Sequence, residues 1–242
     1  MSQFMDMIRL PNFGLGVAKG QFDDISHIHK FGANFDVDNG SVPETVWSAG
    51  GLYPFSAFTT AQTLYCLSDD DSDTSTLTIE GLDSNYDLLT ETITLTGASA
   101  VTTTNQFLRI YRMIYNGGSE NAGTITARTV SDSGTIVAQI DEGLSQTLMC
   151  VYTVPRGYTA YLLVGDATVQ KNKDAQIRFF VRPFGQSFRV AHMAELFESS
   201  YRYDFPVPIK LTEKTDLDVR ISEVESNNTR VTANFDLILD KD

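Results

Sequence analysis

The chain has 242 residues, 42% hydrophobic, 11% aromatic and 20% charged, a balance that supports a packed core and excludes a disordered chain. Its 31 acidic against 18 basic residues leave a net charge of −13, a field that repels phosphate backbones and anionic lipid, so neither nucleic acid nor a membrane is an expected partner. No apolar run approaches the roughly 20 residues that span a bilayer, and Met1 to Leu10 lacks the basic start and apolar block of a secretory leader, so the expectation is a soluble protein.

Residues 1–58 show no regular periodicity. Gly14, Gly16, Gly20, Gly32, Gly40, Gly50 and Gly51 alternate with Phe13, Phe22, Phe31, Phe35, Trp47, Tyr53, Phe55 and Phe58. So long an irregular stretch exceeds an ordinary loop, and so many rings do not suit a solvated tail. The expectation is an extended arm over residues 1–58, laid on its own body or across neighbouring subunits. Phe31, Trp47, Tyr53 and Phe55 are its candidate interface anchors, because buried aromatics dominate interface energies. On that reading, removal of residues 1–58 leaves a folded body.

From residue 59 to 242 the dominant signal is period-two alternation rich in Thr, Val, Ile and Tyr, which fits half-buried strands. Residues 76–80 and 91–96 alternate on either side of a Gly81 to Asp87 turn region, as in a hairpin with a longer loop. Further strands are expected at 107–115, 124–130, 135–140, 147–154, 159–164, 176–181, 187–192, 207–211, 216–222 and 229–239. Pro155-Arg156-Gly157 has the chemistry of a tight hairpin corner. In the last strand Val231, Ala233, Phe235, Leu237 and Leu239 define one buried face, and Ile238 is an apolar exception on the other. Val190 to Ser200 has the best helical propensity in the chain. The fold class expected is an all-β, antiparallel β-sandwich of jelly-roll type preceded by the arm. Any division of the 59–242 body in two would fall near residue 142, at the Asp141-Glu142-Gly143 break. The Phe184 to Phe188 and Tyr201 to Phe205 stretches are expected as loops, with Phe184, Phe188, Tyr201 and Tyr203 as candidate contact residues.

Signatures of catalysis are missing: the sequence holds no G-x-S-x-G, no G-x-x-x-x-G-K-[ST] and no H-E-x-x-H. His27 and His29 would share one face of a strand but find no third ligand at a matching spacing. Cys66 and Cys150, each in an apolar strand-like stretch, read as buried reduced thiols, with a disulfide between them as the alternative. The acidic run from Asp69 to Asp73 lacks the glycine and distal glutamate of an EF-hand loop and reads as a turn rather than a calcium site. No catalytic residue, metal or cofactor is expected, and the chain is expected not to be an enzyme.

Lys30-Phe31-Gly32-Ala33-Asn34-Phe35-Asp36-Val37-Asp38, Val42-Pro43-Glu44-Thr45-Val46-Trp47 and Gly50-Gly51-Leu52-Tyr53-Pro54-Phe55 form the most specific signature. With Ile79 to Tyr86, Thr92 to Gly97, Asn121 to Ile125 and Tyr152 to Tyr161, they resemble a family of virion structural proteins of tailed bacteriophages, of marine and cyanobacterial type. The resemblance covers most of the chain. It implies a non-enzymatic particle component, made in the host cytoplasm and located in the virion, with no family active site to carry over. Acidic charge, an aromatic arm and an edge-rich β fold suit a capsid decoration or cement protein on the outer shell. Its partners would be the major capsid protein or other virion proteins, and further copies of itself in a homo-oligomer. The alternative is a tail or neck component, such as an adaptor, a spike base or a host-surface binding module.

Overall fold

A computed structural model describes residues 13–242, so the first twelve residues of the expected arm lie outside it. The described chain is all-β and antiparallel. A short helix α1 (Phe13–Ala18) precedes β1 (Ile25–Val37), β2 (Glu44–Thr45) and a 3₁₀ turn at Phe55–Ala57. There follow β3 (Leu64–Ser68), β4 (Thr76–Leu82), β5 (Leu88–Thr94), β6 (Val101–Thr102), β7 (Arg109–Tyr115), β8 (Ile125–Thr129), β9 (Ile136–Ile140) and β10 (Val151–Thr153). The last third supplies β11 (Tyr158–Val169), β12 (Asp174–Arg182), β13 (Arg189–Phe197), β14 (Ser200–Leu211), β15 (Asp216–Val224) and β16 (Thr229–Lys241).

The strands do not close into one jelly-roll sandwich. They divide among four sheets, ordered β1-β16-β11-β14, β10-β15-β12-β13 with β2 added to β15, β6-β3-β8-β9, and β5-β4-β7, in a four-bladed, propeller-like arrangement. Two apolar cores couple the sheets in pairs. The first two share a core around Phe179, Val219, Phe235 and Leu237, and the other two share one around Leu64, Ile79, Met113 and Ile125. We call these units the first and second lobes.

Period-two alternation explains how one stretch of chain serves both cores. Around β10, Cys150, Tyr152 and Val154 point into the first core while Met149 and Val151 point into the second. The neighbouring segment does the same with Val46 and Trp47, bonded across by Cys150 N–H to the Val46 carbonyl at 2.9 Å and Ser48 N–H to the Leu148 carbonyl at 3.1 Å. These residues form a wall common to both lobes. The chain thus enters the second core before residue 59, at Trp47, and its last fully buried member there is Val151, past residue 142.

Three local expectations are corrected. Residues 25–37 are not irregular: β1 runs antiparallel to β16 from Ile25↔Asp240 to Val37↔Thr229. The pattern is hard to read because β1 puts Lys30 and Asn34 inside and Phe31 and Phe35 outside. Gly32, in mid-strand, is required by a close approach, since a Cβ there would stand 2.2 Å from the Val46 carbonyl oxygen and 2.5 Å from the Cys150 nitrogen. Second, Val190 to Ser200 is strand β13 and the start of β14, paired from Asp174↔Phe197 to Val181↔Arg189; tertiary pairing overrides helical propensity. Third, the Pro155-Arg156-Gly157 corner links β10 and β11, which lie in different sheets and do not form a hairpin. The 76–94 hairpin is present, with β4 and β5 in register from Thr76↔Thr94 to Leu82↔Leu88, and its turn is held by Asp83, whose carboxylate accepts from Asn85 and Asp87 N–H.

Ile238, the exception on β16, has its own cover. With Phe13, Val17, Phe22, Ile25 and Leu163 it lines a cleft between α1 and the outer face of the first sheet. Gly32→Ala is expected to cost about 3 kcal/mol, the upper range for overpacking a dense site, measured as a lowered urea midpoint. An unchanged midpoint would mean that β1 does not press on the wall as described.

Candidate interaction surfaces and the clasp between the lobes

The signature residues of the expected arm meet at the seam between the lobes. The Glu44 carboxylate accepts from Asn34 Nδ2 at 2.8 Å and from Gly51 N–H at 2.8 Å, and also takes the Ser41 hydroxyl. Trp47 Nε1 donates to the Gly51 carbonyl at 2.9 Å, which fixes the turn in which Gly50 and Gly51 both have positive φ (71° and 66°). Thr45 Oγ1 donates to Asp218 at 2.9 Å and accepts from Tyr53 N–H at 2.9 Å, and Tyr53 Oη donates to the Ile110 carbonyl at 3.1 Å. Residues 44–55 are therefore a clasp that grips β15 of the first lobe and β7 of the second.

A ladder of rings continues the clasp. Trp47 meets Tyr53 edge-on at 5.2 Å, Tyr53 meets Phe55 at 4.7 Å and Phe55 meets Phe188 at 5.3 Å. The Arg182 and Arg220 guanidinium carbons lie 4.5 and 4.6 Å from the Phe188 ring centroid. Trp47, Tyr53 and Phe55 are all under 10% exposed. Three of the four expected arm anchors, with Phe188, are thus joined inside their own chain, as in an arm laid on its own body. Phe31 is apart from them, half-buried on the outer face of the first sheet beside His29, with ring centroids at 5.5 Å. Removal of residues 1–58 would delete β1 and the clasp together, so the expectation that a folded body survives is withdrawn.

Under the ladder lies the charged group that sequence reasoning missed. Asp216, 3% exposed, accepts from Arg109 Nε at 2.9 Å, Arg182 Nε and Nη2 at 2.9 and 2.6 Å, and Thr153 Oγ1 at 2.6 Å. Arg109 stands on β7 of the second lobe and Asp216 on β15 of the first, so this ion pair crosses the seam. Burial alone would lower the Arg109 guanidinium, but the bond and charge of Asp216 outweigh it and hold it above its ordinary value. Next to it, Asp218 pairs with Arg220 Nε at 2.6 Å, and burial pushes its carboxyl up to about 6 against the pull of that arginine. No spacing in the sequence announces this cluster, because its members come from four strands.

Lys30 is a further buried charged group at the seam. It donates to the Tyr111 carbonyl, and Arg112 Nη2 on the same strand donates to the His29 carbonyl at 3.0 Å. Burial, with the Arg112 charge adding to it, lowers the Lys30 ammonium to about 7. The Tyr152 hydroxyl, also buried, has no hydrogen-bond partner in the described structure.

The remaining candidates are structural in their contacts. His27 Nε2 and His29 Nδ1 lie 2.9 and 2.8 Å from one oxygen of Asp236, a partner on β16 that only strand pairing reveals. Among the described residues no group of three or more His, Cys, Asp or Glu side chains is placed to hold a metal ion. In the acidic run, Asp69 accepts from Thr124 N–H, Asp71 from Ala98 N–H, and Asp73 from Ala122 and Gly123 N–H and from the Ser68 hydroxyl. Burial would raise the Asp73 carboxyl, but these donors outweigh it and hold it low. The run ties down the loops at 96–99 and 121–124. Cys66 and Cys150 are free and buried in different cores, and burial pushes the Cys66 thiol up to about 12. No helix among the described residues is long and apolar enough to cross a membrane.

Exposed apolar surface gathers elsewhere. Of the twelve large apolar side chains exposed among the described residues, six fall between Phe184 and Val207: Phe184, Val190, Met193, Phe197, Tyr203 and Val207. Phe184 is in the turn after β12 and stacks edge-on against Tyr86. Tyr201 and Tyr203 are not in a loop but on β14, where with Phe205 they surround His192 of β13 at centroid distances of 4.9 to 5.8 Å. These rings close the mouth between the two sheets of the first lobe.

No protein-family model matches this chain, and no curated protein matches it. Among solved structures, the PBSX exported protein XepA aligns over 87% of this chain and 84% of its own, with 8% identity and a TM-score of 0.22. A structure of infectious bursal disease virus, Gt strain, aligns over 90% and 77% with 9% identity and a TM-score of 0.20. The VP2 subviral particle of infectious bursal disease virus aligns over 90% and 72% with 8% identity and a TM-score of 0.19. Overlaps this loose carry no argument about fold or function.

Arg109→Ala is expected to lower stability by about 3–5 kcal/mol, because it leaves the buried Asp216 with less of its counter-charge. Urea unfolding measures this, and a loss below about 1 kcal/mol would show that the seam does not depend on the pair. Lys30 gives a signed pH prediction. Its folded-state value near 7 lies below the ordinary lysine value of 10.5, so the unfolded chain binds the extra proton between those limits and stability from this group rises with pH across that window. Lys30→Met should be the more stable protein at pH 6, with the advantage shrinking by up to about 1.4 kcal/mol per pH unit above 7. Of the buried thiols, which act in the opposite sense at high pH, Cys66 is common to both proteins and cancels in the difference, while Cys150 feels the Lys30 charge and is replaced by alanine in both. A difference that stays flat from pH 6 to 10 would overturn the assignment.

Proposed function

We propose that this protein is a non-enzymatic structural component of a bacteriophage virion, and within the particle a decoration or cement protein bound to the outer shell. One observation carries the assembly part of this reading: the concentration of exposed apolar side chains between Phe184 and Val207. Exposed apolar side chains in such number are costly for a solitary soluble protein and mark interaction surface. The sequence resemblance supplies the setting. The charge of −13 keeps free copies soluble and apart until they meet a shell, and symmetry then multiplies a modest contact into substantial stabilisation. The major capsid protein is the partner in this reading.

Purified particles decide it by two measurements. Quantitative densitometry against the major capsid protein should give a copy number in the hundreds, of the order of the shell subunits. Shells assembled without this protein should melt at lower temperature than complete ones. A few copies per particle would instead favour the tail or neck reading, and absence from particles would end both.

A further inference from the structure

We infer that the free edge of β13 pairs antiparallel with the β13 of a second copy across a two-fold axis, extending the β10-β15-β12-β13 sheet into one sheet shared by two chains. The inference deepens the assembly reading, on which its setting in a particle rests.

Four edges bound the first lobe, and they are treated differently. The β1 side carries the seam, where Arg112 occupies the His29 carbonyl and Lys30 reaches β7. On the β10 and β2 side the wall joins the second lobe. Neither β13 nor β14 has a strand on its outer side among the described residues. Of these two, β14 is guarded. Its pairing with β11 passes from Leu162↔Ile209 directly to Val164↔Asp204, so Phe205-Pro206-Val207-Pro208 bulges out, and the two prolines offer no N–H to a new neighbour. Nothing comparable protects β13 beyond its bulge at Ala191; from His192 to Phe197 it pairs regularly with β12 and contains no proline.

Of its outward side chains Met193, Glu195 and Phe197, two are large and apolar where an isolated edge would be charged throughout. His192, Ala194 and Leu196 lie opposite Phe179, Ile177 and Ala175 of the core face, which leaves Met193 and Phe197 on the outer face at 49% and 68% exposed. Charge selects the occupant. Copies carrying −13 repel one another over most of their surface, yet between residues 189 and 211 three cations, Arg189, Arg202 and Lys210, cancel three anions, Glu195, Glu198 and Asp204. Along β13 and the residue after it the charges are also polar in order: Arg189 at the start, Glu195 near the end and Glu198 just beyond it. Antiparallel pairing with an identical strand brings each Arg189 end to the partner's acidic end, the self-complementarity that an isologous contact requires. A uniformly acidic or basic partner finds no such match.

Sedimentation equilibrium of the full chain at neutral pH and moderate salt should give twice the chain mass at micromolar concentration. Met193→Asp and Phe197→Asp should each weaken association by at least about tenfold in Kd while circular dichroism and the urea midpoint stay as in the wild type. Arg189→Glu should weaken it as well, and combining it with Glu198→Arg should restore it. A wild type that remains a monomer, or Asp variants that associate unchanged, would overturn the inference. The two readings fail separately: a monomer that still decorates shells removes only the β13 contact, and a β13-dependent dimer absent from particles removes only the virion setting.

Discussion

Asp216 is the constraint on which the seam depends. A carboxylate at 3% exposure is tolerable only when its lone pairs are filled, and here they are filled by arginines from two places, Arg182 beside it on β12 and Arg109 across the seam on β7. Burial makes the arrangement all-or-none, because removing one partner strands a charge in a medium of low dielectric. The neighbouring Asp218 repeats the device through Arg220 and the Thr45 of the clasp. Apolar cores hold each lobe together, but an apolar seam would permit sliding; the directional bonds at Asp216 and Asp218 set one registration.

The clasp follows from that requirement. Glu44, Trp47, Gly50, Gly51 and Tyr53 form a compact turn whose backbone groups are satisfied internally, so it can be laid across a seam where water is absent. The most distinctive residues of the sequence are thus those that lock two lobes of one chain. Distinctiveness in a sequence marks a constraint, and an intramolecular constraint looks the same as an intermolecular one until the partner is seen.

This separates what the sequence made legible from what it did not. Strands whose two faces differ, such as β4, β12, β15 and β16, are readable within two or three residues because alternation survives wherever one face is dry. β1 is unreadable because it buries a lysine and an asparagine and exposes phenylalanines, each for a reason located elsewhere: Tyr111, Glu44 and the sheet's outer face. β13 is ambiguous for a related reason, since the best helical propensity of the chain overlaps the strand expected at 187–192. Its outward face mixes Met193 and Phe197 with Glu195, and its inward face includes His192, so the contrast that defines a strand is blurred. Asp216 and Arg109, 107 positions apart in the chain, were out of reach of any local pattern.

The apolar outward residues of β13 and the neutral charge balance around them belong to the same argument. Within a monomer, an edge strand gains from outward charges, which keep it soluble and discourage pairing; β14, with its prolines and its bulge, follows that rule. On β13 the rule is broken by Met193 and Phe197, while the flanking charges are distributed so that their sum vanishes and their order reverses end to end. Surface selected only for solubility in a chain of charge −13 has no reason to be neutral there. An edge that meets another edge has both reasons: apolar side chains to exclude water from the shared ladder, and opposite charges at its two ends to fix the direction of pairing.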